Sequence, residues 1–357
     1  MTADPRVVLA EALRRAAEPV VDDVPEVSLV PPAQPEHGDL ATPIAMALAK
    51  RAARPPREIA EEVSARLRSD STIFGWIAEA EIAGPGFINL RLGPAWFAAV
   101  ARHIAEVGAD YGRDGAAEGL SILLEYVSAN PTGPPHVGHA RHAAYGDSLA
   151  RVLAFAGHTV TREYYLNDHG RQMENFAASI AARYAERHGV ELAVPDDGYH
   201  GDYVAEIAEA IDEEVGDQWA GELSPLTDAA QSFFGVRGGE LMREAIAGQL
   251  ERFRTGIDTW FSEASLHADG RVEAGIDALV DSGDAYEKDD ALWFATSRYG
   301  DEKDRVLRRS DGDTTYLAAD VAYHLDKAAR GSDRLITVLG ADHHCYIARL
   351  RAILAAG

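Results

Sequence analysis

LSILLEYVSANPTGPPHVGHAR, Leu120–Arg141, is the stretch on which the fold of this chain turns. Residues 121–127 form a short, largely apolar run, Ser-Ala-Asn follows, and a long amphipathic helical pattern sets in from Gly138. That order predicts a buried strand, a rigid turn and a helix. In α/β proteins ligands bind at the carboxyl ends of parallel strands, beside helix N-termini whose free N–H groups attract phosphate. Pro131, Pro134 and Pro135 stiffen the turn, Gly133 permits a positive φ, and Gly138 offers no Cβ to hold a flat purine away from the backbone.

His136 and His139 flank Gly138. Two imidazoles at a helix start are suited to donate N–H bonds to phosphate oxygens that gain charge during nucleotidyl transfer, and no nucleophile stands nearby. The bland alternative is a chance tetrapeptide with two polar residues at a helix start. No G-x-x-x-x-G-K-[ST] and no G-x-G-x-x-G occurs anywhere, which counts against a P-loop enzyme and a dinucleotide-binding fingerprint. Taken together, EYVSANPTGPPHVGHAR resembles the first signature of class I aminoacyl-tRNA synthetases, the "HIGH" motif, and most of all that of bacterial-type arginyl-tRNA synthetases. The resemblance implies an ATP-binding turn over Ala129, Asn130, Pro131, Thr132, Gly133, Pro134, Pro135, His136, Val137, Gly138 and His139, with His136, Gly138 and His139 at the chemistry.

Composition fits a soluble globular protein of two or three domains: 357 residues, 46% hydrophobic and 26% charged. The N-terminal MTADPRVVLAEALRRA lacks a signal-peptide core and no apolar run is long enough for a membrane span, so a cytoplasmic protein without a membrane partner is expected. The single Cys345 excludes an internal disulfide and a thiolate zinc cluster. A net charge of −24 argues against nonspecific coating of nucleic acid. The acid is unevenly spread. Residues 191–236 hold twelve Asp or Glu and no Lys or Arg, whereas Lys50–Arg68 carries six bases against three acids. A nucleic acid is therefore expected on local basic faces, although solvated helix faces would read the same way.

In chain order, residues 1–112 read as a small α+β domain: helix 7–17, an extended Pro-rich piece 27–35, a helix from about Asp39 to Arg51, a helix 57–68, a hairpin within 76–92 and a closing helix 94–107. EHGDLATPIAMALAK and GPGFINLRL resemble the N-terminal appended domain of arginyl-tRNA synthetases, which implies contact with the outer corner of tRNA. Residues 113–357 read as a divided doubly wound, Rossmann-like α/β catalytic domain, split by a mainly helical insertion at about 173–279. Strands are expected near Ser121, Thr159, Thr314 and Arg334. A β-rich return covers 284–307, and a helix starts at about Tyr346. The polar NDHGRQ, which includes Asp168 and Gln172, follows the strand 159–166, where ligand contact and ordinary turn chemistry are both open.

For an arginine substrate the partners should be carboxylates and an aromatic plane. The resemblance supplies these types at Glu263, Tyr316 and Asp320, with Asn130 on the substrate's backbone groups and Asp342 and His343 near the adenosine and amino-acid sites. On the residues alone, Glu263 reads as a surface glutamate. His343 and His344 also suggest metal, but with no third ligand identifiable none is expected. The reaction implied is activation of L-arginine by Mg-ATP to arginyl-adenylate and its transfer to tRNA(Arg), by a monomer with no tightly bound cofactor. No Lys-Met-Ser-Lys-like segment follows Asp342, so the last core strand and a helical anticodon-binding domain are expected to be absent from this chain. A paralogue that binds arginine or tRNA without charging, a pure tRNA-binding module and a small-molecule nucleotidyltransferase of the His-x-Gly-His superfamily remain alternatives.

Overall fold

In the computed structural model, residues 3–113, 119–340 and 346–356 are described. The chain divides into two compact units, Met1–Arg113 and Asp114–Gly357.

The first unit packs helices on a small antiparallel sheet. Helix α1 (Pro5–Ala17) starts at Asp4, whose carboxylate accepts the Arg6 N–H at 2.7 Å. Then come β1 (Leu40–Thr42), α2 (Ile44–Ala52), α3 (Pro56–Ser69), β2 (Ile77–Ala83), β3 (Phe87–Leu92) and α4 (Pro94–Val107), with strand order β1-β3-β2. Leu9, Leu13, Leu48, Ile59, Val63 and Ile88 meet in its core. The helix expected from Asp39 begins only at Ile44. Thr42 precedes Pro43 and is held extended, and Asp39 pairs with β3 through its N–H to Leu90 and its carboxylate to Leu92, each at 2.8 Å. The basic stretch is largely balanced at home: Arg51 pairs with Asp23 at 3.1 Å, Arg54 with Glu62 at 2.8 Å, Arg66 with Glu62 at 2.6 Å and Arg57 with Glu61 at 3.8 Å.

The second unit is built on a parallel sheet of order β10-β4-β5-β6, comprising β4 (Ser121–Glu125), β5 (Thr159–Leu166), β6 (Thr259–Ser262) and β10 (Arg334–Thr337). Helix α5 (Val137–Phe155) joins β4 to β5. Helices α6 (Arg171–Arg187), α7 (Asp202–Val215) and α8 (Asp228–Arg252) lie between β5 and β6. After β6 come α9 (Glu263–Ala268), α10 (Arg271–Asp281), an antiparallel sheet of β7 (Ala285–Lys288), β8 (Ala291–Phe294) and β9 (Arg305–Arg308), and α11 (Tyr316–Ala329). Helix α12 (Ile347–Ala356) follows β10. Among the described residues no helix is long and apolar enough to cross a membrane.

The range 173–279 is mainly helical, as expected, and also contains β6, which pairs in parallel with β5, Tyr165 opposite Phe261 and Leu166 opposite Ser262. One expectation is corrected: Thr314 is not in the parallel sheet. Thr314 bridges Arg308, and Thr315 donates its N–H to Leu307 at 2.8 Å and its hydroxyl to Val306 at 2.7 Å, so the segment extends the antiparallel sheet and Tyr316 already opens α11. Four-residue runs with two threonines carry too weak a period to tell one sheet from another.

Candidate active site

Because β4, β5 and β6 run parallel and in register, their carboxyl ends deliver Ser128–Asn130, Asp168 and Glu263 to one edge of the sheet. The turn after β4 carries its left-handed backbone at Val127 (φ 72°) and Ser128 (φ 43°), not at Gly133. A β-branched residue there costs on the order of 1–3 kcal/mol and persists only where its surroundings fix it. Here they do. The Tyr126 ring packs over Gly146, where a Cβ would lie 2.2 Å from its Cγ, and its hydroxyl donates to Gly256 O at 2.5 Å. Ser128 Oγ donates to Glu125 Oε1 at 2.7 Å and accepts the Tyr165 N–H at 3.2 Å.

Further along the turn Pro131 and Thr132 are buried, Gly133 and Pro135 half-buried and Pro134 exposed. Tyr203 donates its hydroxyl to Thr132 O at 2.9 Å and lies 3.3 Å from where a Gly133 Cβ would stand. The segment 196–204 thereby buttresses the turn. Ala129 O accepts the Tyr164 hydroxyl at 3.2 Å, and Asn130 donates to Gln172 across the site.

His136 and His139 stack at the start of α5, 3.8 Å between centroids. Each caps the other's turn: His136 Nδ1 accepts the Gly138 N–H at 3.1 Å and His139 Nδ1 accepts the His136 N–H at 3.3 Å. A Cβ on Gly138 would come within 2.8 Å of the His136 ring, so the glycine first makes room for its neighbour's imidazole. Val137 between them is 87% exposed. Burial and the facing His136 and His142 push the His139 imidazole below its ordinary range.

Glu263, which reads as a surface residue in sequence, is 3% exposed. Burial pushes its carboxyl up to about 7, the Tyr165 hydroxyl pulls against this, and Asp320 and Asp168 add to it. Asp320 on α11 is likewise pushed up to about 7 by burial, with the Tyr346 hydroxyl donating to it. Among the described residues neither acid pairs with a lysine or arginine; His267 Nε2 lies 3.9 Å from Glu263. Asp168 acts through the backbone, accepting the Ser262 hydroxyl at 2.6 Å and the Ala264 N–H at 2.8 Å and so fixing the start of α9, which carries Glu263. Tyr316 is 63% exposed at the first position of α11 and makes no described hydrogen bond to either acid. Asp342, His343, His344 and Cys345 lie outside the described residues.

The residues alone did not single out Glu125, Tyr165 or Lys327. Lys327 is 1% exposed and pairs with Glu125. Burial works to raise the Glu125 carboxyl, but Lys327 outweighs it and holds the group below its ordinary range. A glutamate inside SILLEYV was the available signal, since a charge in a buried strand requires a partner. A cavity of about 860 Å³ opens at the same sheet edge between α6 and α8, bordered by Pro131, Asp168, Trp260 and Ser262.

Comparison with known proteins agrees with this geometry. Residues 6–92 match the arginyl tRNA synthetase N terminal domain, and residues 107–356 match the catalytic domain of class I (R) tRNA synthetases. The chain is 46% identical over 351 residues to the arginine–tRNA ligase of Shouchella clausii and 44% identical over 348 residues to that of Geobacillus kaustophilus. Each alignment covers 98% of this chain, which spans 62% and 61% of those two proteins. The solved structure of Thermus thermophilus arginyl-tRNA synthetase shares the fold, with a TM-score of 0.62 at 23% identity over 98% of this chain and 63% of that one. This chain belongs to the class I arginyl-tRNA synthetase family.

Proposed function

We propose that the second unit is the catalytic part of an arginine–tRNA ligase. The observation that carries this is the pair Glu263 and Asp320, a buried and a half-buried acid close enough for Asp320 to raise the proton affinity of Glu263, with no lysine or arginine ion pair to either among the described residues, although Arg349 and Lys327 act on Asp320 from further off. Buried carboxylates are normally paired, and a protein that leaves two unpaired in one pocket has left space for a cation from outside. A guanidinium supplies that charge as a planar fork of donors; an ammonium is a point charge and leaves acceptors unmet.

In the proposed reaction a carboxylate oxygen of L-arginine attacks the α-phosphorus of ATP, the bond to the bridging oxygen breaks, and pyrophosphate leaves with Mg2+, which enters as the ATP complex. The terminal ribose hydroxyl of tRNA(Arg) then attacks the acyl carbon and AMP departs. His136 and His139 donate to the phosphate oxygens as charge builds, with positioning supplying much of the rate. Asn130, held by Gln172, contacts the amino acid's backbone groups. Tyr316, Asp342 and His343 complete the substrate shell, and the first unit meets the tRNA. The enzyme acts as a monomer in the cytoplasm.

Arginine-dependent ATP–pyrophosphate exchange, with and without tRNA, tests the reading. Exchange should require arginine and should disappear in a Glu263→Gln, Asp320→Asn double variant. Exchange supported by a different carboxylic acid would point instead to a small-molecule nucleotidyltransferase. Binding of arginine or tRNA with no exchange under any condition would favour the non-charging paralogue.

A further inference from the structure

Tyr346 stands immediately before α12 and is half-buried. Its hydroxyl donates to Asp320 Oδ2, and no other hydrogen bond to that carboxylate occurs among the described residues. Arg349 covers the face of the same ring, its guanidinium carbon 4.9 Å from the centroid. Among the described residues Arg349 has one carboxylate partner, Asp301, at 4.0 Å. That acid is already gripped by Arg305, whose Nε and Nη2 each donate to it at 2.8 Å. Arg349 Nε is buried and has no hydrogen-bond partner among the described residues. A guanidinium with so loose a partner, near an acid with no ion pair, would ordinarily close on that acid as a two-bonded fork. Here it does not, and the side chain that touches both is Tyr346.

We propose that Tyr346 is a positioning residue of the arginine pocket: its hydroxyl fixes the Asp320 carboxylate while its ring face retains Arg349, so the chain's own guanidinium does not occupy the acid that the substrate's guanidinium is to meet. The proposal rests on the arginine reading given above. The ring face attracts a cation through its quadrupole, and the hydroxyl at the ring's edge satisfies one lone pair of the acid. One side chain thus holds a cation and an anion apart while giving each a contact. The hydroxyl also favours the ionised carboxylate, against burial, which raises the proton affinity of Asp320. Lys327, the other cation acting on Asp320, is engaged in the same manner, paired with Glu125 and 4.4 Å from the centroid of the Tyr323 ring. The His324 ring is turned to the backbone, its Nδ1 2.9 Å from the Asp320 carbonyl oxygen.

The test is calorimetric titration of L-arginine into the 357-residue chain, with melting curves for every variant. Tyr346→Phe keeps the ring and its hold on Arg349, should melt as the wild type does, and should lower arginine affinity about fivefold through the lost hydrogen bond. In an Asp320→Asn background the same change should cost less than about twofold. Tyr346→Ala removes the ring as well, lets Arg349 reach Asp320, and should lower the affinity by about a hundredfold. Arg349→Gln alone should change it less than about threefold, and added to Tyr346→Ala it should bring the affinity back to within about tenfold of the wild type. A merely structural tyrosine would not be rescued by removing a second side chain. Unchanged affinity in Tyr346→Phe, or a Tyr346→Ala loss that Arg349→Gln does not relieve, would overturn the proposal. Absence of arginine binding by the wild type, with or without tRNA, would instead overturn the arginine reading and this proposal with it.

Discussion

The two ends of α11 handle buried charge in opposite ways. Its C-terminal half supplies Lys327 to Glu125 and Arg330 to Glu163, and Tyr323 donates to Glu163 at 2.8 Å, so both strand acids are neutralised within the protein. Its N-terminal half supplies Asp320, a further acid, to a pocket that already holds Glu263. The first arrangement closes the charge balance when the chain folds; the second leaves it open until something binds. Acids of one kind, on one helix and its facing strands, thus serve the fold at one end and, in the proposed function, recognition at the other. Direct contact with a cation separates the two: Lys327 pairs with Glu125, whereas Lys327 and Arg349 act on Asp320 without an ion pair among the described residues.

The largest effect should come from breaking the closed end. Lys327→Met leaves Glu125 buried without its cation and should cost about 3–5 kcal/mol in urea denaturation. A cost below about 1 kcal/mol would mean that the two ends of α11 do not differ as described. Next, His136→Ala or His139→Ala should slow arginine-dependent exchange by about two decades, or roughly 3 kcal/mol, while leaving arginine affinity nearly unchanged. Equal losses in arginine affinity and in rate would place the histidines in ground-state binding and blur the line between the acid pocket and the phosphate turn.

The open end should reveal itself through pH. Glu263 and Asp320 are raised to about 7, so the folded protein holds protons there that the unfolded chain has released. Their contribution to stability is therefore lost as pH rises from the ordinary carboxyl range through about 7. Glu125, held low, has the opposite sign and loses its contribution as the solution is acidified below that range. Asp320→Asn should flatten the decline and stabilise the ligand-free protein by on the order of 2 kcal/mol near pH 8, and saturating arginine should do the same for the wild type. A destabilised Asp320→Asn protein at that pH would show that a cation of the chain already serves the site. The smallest effect is expected from Asp168→Ala, which removes the acceptor of Ser262 and Ala264. It should cost about 1 kcal/mol and raise the Michaelis constant for arginine a few-fold, by loosening the helix start under Glu263. If stability falls and the constant does not, the cap supports α9 alone.

The strand, turn and helix around the histidines were legible in sequence because they are local: the strand, the prolines and the two histidines lie within one short stretch, and the helix they start is where the pattern put it. The acid pocket was not legible in that way. Glu263 opens a six-residue helix with too little sequence for a period, and only burial against β5 and α11 distinguishes it from a solvated glutamate. The same limit explains β6, which is four residues long and was hidden in an otherwise helical range. Family resemblance supplied Glu263 and Asp320 where periodicity could not.

The mutual capping of His136 and His139 settles where their protons sit. Each Nδ1 accepts a backbone N–H, so in the neutral rings the proton is on Nε2. In that tautomer Nε2 is the donor each ring has left, and the helix start itself chooses it. A proton added at His139 Nδ1 would set N–H against the His136 N–H and undo that half of the cap, and burial with the neighbouring imidazoles already disfavours that proton.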